Sequence, residues 1–158
     1  MKGMFALIVL LLAAPANALC IYRGVDNAHS TVSQEFADAQ WVVRARVVSA
    51  QRGEGQDGPW ISYRLKPIES FKGQLTGEFD FFSYRNSGGF YMDRALQGPD
   101  IGGDYILFLR PRQFNEGDPV RARSATFVTY NCGRSGPWTE MPGSDRQELR
   151  RLSGRQLP

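Results

Sequence analysis

Short segments of the chain alternate between apolar and polar residues, which is the pattern of β-strands that bury one face. In the first segment, WVVRARVVSA, every second residue from Trp41 to Val47 is apolar, whereas Arg44 and Arg46 lie on the opposite side. We interpret these two arginines as solvated charges on an outer face rather than as a basic binding stripe. Related apolar patterns predict five strands, at residues 41–50, 60–71, 78–84, 105–110 and 120–130.

Two segments have the apolar spacing and the end signals of α-helices. Residues 30–40 can be capped by Ser30 or Thr31, with Gln34 three positions after Thr31 as a capping-box partner, and their apolar side chains share one face. Residues 144–152 place two leucines three positions apart and begin with a serine that we expect to cap the helix. The pattern therefore predicts one helix before the strands and one after them.

Glycine and proline interrupt the strand pattern at three places. Residues 51–59 are predicted to form a flexible connection, and residues 86–103 a long Gly-rich loop. Pro67 lies inside a predicted strand but lacks a backbone donor, so we expect a bulge or an edge position there.

The number and order of these elements predict the fold class, a mainly β protein. Five short strands between two helices favour a small barrel over a sheet of βαβ units. The half-buried alternation favours antiparallel strands, because parallel strands are usually buried on both faces and have continuous apolar runs. A chain of 158 residues is long enough for one such domain and too short for two ordinary ones.

The predicted Gly-rich loop carries three large apolar side chains in succession, Phe90, Tyr91 and Met92. Large apolar side chains on a loop indicate either packing against the protein or contact with a partner. Two arrangements agree with the sequence. The three residues form a candidate partner-binding site, or they fold back over the mouth of the barrel.

The first residues of the chain have the pattern of a secretory signal peptide. Lys2 precedes an uncharged apolar run, MFALIVLLLAA, and a small-x-small cleavage site ends at Ala18. The run is much shorter than the 20 or so apolar residues that a membrane anchor needs. We expect residues 1–18 to be removed and residues 19–158 to form a single periplasmic or secreted domain.

The chain has two cysteines, Cys20 and Cys132. An exported chain folds in an oxidising compartment, where two cysteines allow only one disulfide connectivity. The alternative, a redox-active or nucleophilic thiol, is disfavoured because the sequence has no C-x-x-C motif and no histidine near either cysteine. We therefore predict a structural Cys20–Cys132 bridge.

The sequence offers few residues for catalysis or metal binding. His29 is the only histidine, and its proximity to Ser30 in a loop does not make a catalytic triad, so we expect an exposed or capping role. Asp93, Asp100 and Asp104 do not have the spacing of an EF-hand calcium loop and are interpreted as solvated loop residues. We predict that the protein is not an enzyme and has no metal site and no cofactor.

The net charge of +3 and the sequence pI of about 9.1 raise the question of nucleic-acid binding. Trp60, Tyr63, Arg64 and Lys66 could form a platform of aromatic and cationic side chains. Removal of Lys2 with the signal lowers the charge from +3 to +2, and export separates the protein from nucleic acid. We interpret these residues as core aromatics that alternate with solvated charges, and we predict no nucleic-acid partner and no membrane span.

Five motifs follow one another along the chain: Cys20 near the mature N-terminus, FADAQWVVRARVVSA, IESFKG, GGDYILFL and YNCG, which contains Cys132. In this order they resemble the bacterial relatives of the tissue inhibitors of metalloproteinases (TIMPs), the TIMP and netrin-like domains. The resemblance covers about residues 20–132. It implies a five-stranded OB-type barrel over about residues 41–132, with the N-terminal segment tied to it by a disulfide.

The chain departs from this family at two places. The family often begins Cys-x-Cys, whereas here Cys20 is followed by Ile21 and Tyr22, and the segment SYRNSGGFYMDR lacks the cysteine often found after the third strand. These absences fit the loss of one whole disulfide. In the animal inhibitors a free N-terminal cysteine chelates the protease zinc through its amine and carbonyl, and Leu19 before Cys20 would remove that geometry.

These patterns predict an exported, non-enzymatic binding or interaction module whose partner is unknown. The alternative function is inhibition of an extracytoplasmic metalloprotease. Phe90, Tyr91 and Met92 are the candidate contact residues for a protein partner.

Overall fold

The computed structural model describes residues 20–26, 28–86, 88–94, 97–113 and 116–154. The predicted signal peptide and its cleavage site lie outside these residues. The described residues form ten strands and two α-helices. The strands are β1 Ile21–Tyr22, β2 Val25–Asp26, β3 Trp41–Gly55, β4 Gly58–Lys72, β5 Phe79–Tyr84, β6 Asp93–Arg94, β7 Gly98–Pro99, β8 Asp104–Pro111, β9 Thr126–Val128 and β10 Gly136–Pro137. The helices are α1 Val32–Asp38 and α2 Gly143–Leu152.

Six strands form one sheet in the order β10-β8-β3-β4-β5-β9. Strand β9 also pairs with β8, so that β3, β4, β5, β9 and β8 close a ring of five strands. Pairing around the ring is antiparallel except between β5 and β9, which run parallel. The predicted mainly β fold with an early and a late helix is confirmed.

Apolar side chains at alternate positions of the ring strands fill its interior. This follows from the two-residue period of a strand, which sends every second side chain to the same face. Burial of apolar surface contributes roughly 25 cal/mol per Å², so this cluster is a main source of stability. Its buried strand residues are Val43, Ala45, Val47, Ile61, Tyr63, Leu65, Phe81, Tyr105, Leu107, Leu109 and Val128.

Strands β3 and β8 are also buried on their second face, because both helices pack there. Val42 and Phe108 are 0% exposed and belong to a second cluster with Val32 of α1 and Leu149 of α2. This second layer explains why the segment YILFLR has no polar face in its centre.

The two helices begin in different ways. The predicted capping box of α1 is confirmed: the Gln34 backbone N–H donates to Thr31 Oγ1 over 3.2 Å, and the Thr31 N–H donates to Gln34 Oε1 over 2.9 Å. The predicted serine cap of α2 is wrong. The helix begins at Gly143 after Pro142, which makes no side-chain capping bond, and Ser144 already lies inside the first turn.

The predicted flexible connection at residues 51–59 is wrong. Strands β3 and β4 continue through it as a hairpin that leaves only residues 56–57 as the turn. Gly58 has a φ of +105°, which favours glycine, and a side chain at Gly53 would collide with the ring of Trp60. These glycines therefore permit a tight turn and a close ring contact rather than flexibility.

The predicted strand at residues 120–130 is shorter in the structure, where only Thr126–Val128 is extended. The residues before it form a 3-10 turn, Val120–Ala122, that lies over the outer face of β4 and β5. Ala122 is 0% exposed there, packed with Trp60 and Phe82. The apolar spacing of this segment thus reflects packing of a turn on the sheet.

The bulge predicted at Pro67 is confirmed. Ala45 pairs with Pro67 and Arg44 pairs with Glu69, so Ile68 is the extra residue on β4. A bulge interrupts the ladder where proline has no N–H to donate.

Candidate functional site

The predicted Cys20–Cys132 disulfide is confirmed, with a Cα–Cα distance of 5.9 Å. It joins the hairpin of β1 and β2 to the turn that follows β9. Tyr22 packs against Tyr130 with ring centroids 5.1 Å apart, and Tyr130 Oη donates to the Ala28 carbonyl over 3.1 Å. The disulfide and these contacts hold the N-terminal segment against one end of the ring.

A cavity of about 430 Å³ lies beside the disulfide, between the N-terminal hairpin, β9 and the turn that contains Cys132. Ile21 and Phe127 form apolar parts of its wall, and Ile21 is 51% exposed. The Arg110 guanidinium lies 4.3 Å from the centre of the Phe127 ring. Such a cation–π contact leaves the charge of Arg110 available to a carboxylate.

A smaller cavity of about 160 Å³ continues from this one and shares Gly88, Phe127 and Asn131 with it. It lies where β5 and β9 pair only through Phe81 and Thr126 and then diverge. The two cavities form one depression, which we call the disulfide groove. An exposed isoleucine, an aromatic ring and a cation in one groove are suited to an apolar side chain that lies next to an acidic one.

The candidate contact loop packs back against the ring. Met92 is 0% exposed in the ring interior, and its N–H donates to Tyr63 Oη over 3.2 Å. Tyr91 Oη donates to the Tyr84 carbonyl over 2.8 Å, and the Phe90 ring meets Phe81 edge-on at 5.8 Å. Of the two arrangements that the sequence allowed, this is the fold-back one. Phe90 and Tyr91 remain half-buried, so they keep some surface for contact.

The three aspartates predicted to be solvated loop residues are instead paired with arginines. Asp93 Oδ2 lies 2.9 Å from Arg85, and Asp93 Oδ1 accepts from Tyr63 Oη over 2.7 Å. Burial and the hydrogen bond to Asp93 raise the pKa of Tyr63 far above its usual range. These contacts explain how a loop with many glycines is fixed over the ring.

The other two aspartates have partners of their own. Arg94 Nε lies 2.6 Å from Asp100, whereas Asp104 lies 2.6 Å from Arg44 and 2.8 Å from Arg46. The hydrogen bond from Arg46 is the main cause that holds the pKa of Asp104 below its usual range. Among the described residues, no group of three or more histidine, cysteine, aspartate or glutamate side chains is arranged to hold a metal ion.

His29 is exposed in the segment before α1, which is one of the two roles predicted for it. Its neighbour Ser30 is buried, and the Ser30 hydroxyl donates to Glu35 Oε1. The arrangement gives Ser30 a structural partner rather than a histidine base.

Glu35 was not among the residues predicted to be functional, and it is a 0% exposed carboxylate that joins α1 to the turn after β9. Glu35 Oε1 also accepts from the Arg134 backbone N–H over 2.6 Å, and a side chain at Gly133 would collide with the carboxylate. Burial raises the pKa of Glu35, while its hydrogen bonds and the charge of Arg134 oppose that shift. The only sign of this burial in the sequence is that Glu35 lies beside the apolar residues of the predicted helix.

The residues considered for a nucleic-acid platform do not share a surface. Tyr63 is 0% exposed inside the ring, whereas Trp60 is 8% exposed under the turn on the outer face. Arg64 pairs with Asp80 over 3.1 Å, and Lys66 is exposed. Neither aromatic ring therefore offers an open face on which a base could stack.

Neither helix in the described part of the chain has the length and hydropathy needed to cross a membrane. No protein-family model matches the chain, and a search of curated proteins found no match.

Proposed function

We propose that the chain is an exported, non-enzymatic binding module with a TIMP/netrin-like, OB-type barrel. The strand order supports this fold: β8, β3, β4 and β5 lie side by side in the 4-1-2-3 order of a Greek key, and β9 closes the ring. The disulfide supports an oxidising compartment, in agreement with the signal pattern of residues 1–18.

The disulfide groove is the observation that carries the binding role. It joins exposed Ile21, the Phe127 ring and Arg110, which has no carboxylate partner among the described residues. The partner is a protein segment that places an apolar side chain in the groove and a carboxylate near Arg110. Apolar anchors in a pocket with a charged rim dominate most protein interfaces.

The test is crosslinking and co-purification of the tagged protein from the envelope fraction of its own host. We expect one partner to be lost with Ile21→Asp and with Arg110→Glu. Ile101→Asp is the matched control, because Ile101 is 53% exposed and lies away from the groove. Equal recovery of the partner in all three variants would contradict the proposed surface.

The loop hypothesis is tested in the same experiment with Phe90→Ala and Tyr91→Ala. A contact role predicts weaker partner recovery at unchanged thermal stability. A purely structural role predicts lower stability with recovery that follows the folded fraction.

Metalloprotease inhibition is the second candidate, because Cys20 lies at the wall of the disulfide groove and is partly exposed. A mature chain that begins at Cys20 would present a free amine and a carbonyl to a protease zinc, and the resemblance implies this mode. Intact mass and N-terminal sequencing decide the starting residue. A start at Cys20 with inhibition of a zinc protease supports this function, and a start at Leu19 without inhibition contradicts it.

A further inference from the structure

A second cavity, of about 380 Å³, lies on the outer face of β3, β4 and β5, away from the disulfide groove. Its volume is within the range of roughly 300–1,000 Å³ that is usual for small-ligand sites. Its wall is almost entirely polar, and we call it the outer cleft. The polar residues that line it are Ser49, Gln51, Ser62, Arg64, Asp80 and Arg121.

The sheet register arranges five of these residues in two adjacent rows. Ser49 pairs with Arg64, which pairs with Asp80, and in the next row Gln51 pairs with Ser62. Paired residues on neighbouring strands lie about 5 Å apart, so the polar groups of both rows converge on one small area. The Arg64 Nε lies 3.1 Å from Asp80 Oδ1, which orients both charged groups.

The sixth residue, Arg121, is placed over the cleft by the 3-10 turn Val120–Ala122. Ala122 is 0% exposed and anchors this turn against Trp60 and Phe82. The buried Ala122 therefore positions the backbone of Arg121, whose guanidinium remains exposed and accessible to a ligand.

Most of the polar side chains in the cleft are unused by the fold. Ser49, Gln51, Ser62 and Arg121 make no side-chain hydrogen bond or ion pair with any described residue. Ser62 is only 3% exposed and forms the floor of the cleft. Hydroxyl, amide and guanidinium groups that the fold leaves unpaired can hydrogen-bond to water or to a ligand in the cleft.

The charge around the cleft favours an anion. Arg64 and Arg121 outnumber Asp80, and Lys66 lies on the same face of β4, directly opposite Arg46. Arg46 is paired with Asp104 and Arg64 with Asp80, so the uncompensated positive charge in the wall of the cleft is that of Arg121, which favours an anion there.

We propose that the outer cleft binds an acidic sugar of the hexuronate type. The carboxylate of the sugar pairs with the guanidinium of Arg121, which matches carboxylates through two parallel hydrogen bonds. The sugar hydroxyls bond to Ser62, Gln51 and Asp80, since a carboxylate in the wall accepts from hydroxyls but repels a simple polyanion. This site is independent of the partner surface proposed above.

The direct test is isothermal titration of the purified protein with D-galacturonate, its oligomers and D-galactose as the neutral control. We expect galacturonate to bind at least about tenfold more tightly than galactose, because the charge-assisted bond is lost in the neutral sugar. Tighter binding of oligomers than of the monomer indicates a polysaccharide source, and equal binding indicates a free sugar acid. The absence of binding by both monomer and oligomers overturns the proposal.

Matched variants separate the site from general electrostatics. Arg121→Gln and Arg151→Gln remove one exposed positive charge each, but Arg151 lies on α2 outside the cleft. We expect Arg121→Gln to weaken galacturonate binding about tenfold at unchanged thermal stability and Arg151→Gln to leave it intact. Equal effects of the two variants, or equal affinity for inorganic sulfate, would refute a sugar-specific site.

Discussion

Glu35 shows how one buried side chain can join parts of the chain that are far apart in sequence. Its carboxylate accepts from Ser30 before α1 and from Arg134 after β9, and Gly133 leaves room for it. Burial of a charged group is costly unless it is paired and hydrogen-bonded. The bonds of Glu35 therefore stabilise the position of α1 while its charge opposes folding.

Removal of this carboxylate tests its role as a structural connection. We expect Glu35→Ala to lower the free energy of unfolding by about 2–3 kcal/mol, because it leaves the donors of Ser30 and Arg134 without their acceptor. Glu35→Gln keeps an acceptor oxygen and should remain close to wild type. Urea unfolding of the three proteins measures the difference, and equal losses in both variants would contradict this explanation.

The same residue predicts a pH dependence of stability. The pKa of Glu35 is raised above its ordinary value of 4.5 in the folded protein, so folding takes up a proton between the two values. The contribution of Glu35 is therefore fully present below the unfolded pKa and is lost as pH rises through the folded pKa. We expect wild type to lose stability relative to Glu35→Gln over this window, as measured by urea midpoints. If the urea midpoints of wild type and Glu35→Gln change in parallel over this pH range, the explanation is contradicted.

At the scale of elements, the structure of the loop between β5 and β8 depends strongly on its contacts with the ring. Its apolar side chains enter the ring or cover it, and its aspartates are anchored by arginines and tyrosines. These contacts hold the described residues of this segment against the ring. Substitutions in this loop are therefore expected to change the packing inside the ring.

Met92 provides the test of this coupling, because its side chain is 0% exposed inside the ring. We expect Met92→Ala to cost about 2–5 kcal/mol, the usual range for truncating a buried methionine. Ile101→Ala in the same loop removes a 53% exposed side chain and should change stability by about 0.5 kcal/mol or less. Thermal unfolding compares the two, and a similar small loss in both would mean that Met92 is not part of the core.

At the scale of the whole molecule, the disulfide closes a covalent loop between two cysteines that lie 112 positions apart in the sequence. It ties an N-terminal hairpin to the end of the ring and forms part of the disulfide groove. Stability and the proposed partner surface thus depend on the same bond. The outer cleft does not, since it is built on β3, β4 and β5.

Loss of the disulfide should therefore affect the disulfide groove but not the outer cleft. We expect the double variant Cys20→Ser, Cys132→Ser to lose up to roughly 4–5 kcal/mol of stability by the chain-entropy estimate. While it stays folded, it should lose partner recovery but retain galacturonate binding. Denaturant unfolding and titration at low temperature measure both, and loss of sugar binding in a folded variant would contradict the independence of the sites.

The sequence by itself determined those features that depend on neighbouring residues or on simple counting. Alternation located β4 and β5, a short apolar run located β8, the capping box located the start of α1, and two cysteines permitted one bridge. Each of these follows from a period, a local hydrogen bond or a unique pairing, which a linear sequence contains.

Only the tertiary structure decided the features made by residues distant along the chain. The local pattern predicts a flexible connection at the glycines of the long hairpin, because it does not contain the contact between Gly53 and the ring of Trp60. Packing also decided that Glu35 is buried, that Arg121 and Ser62 line the same cleft, and that Met92 lies inside the ring. The disulfide groove forms where β9 and the N-terminal hairpin meet, and the outer cleft is completed by Arg121 from a turn that packs on β4 and β5.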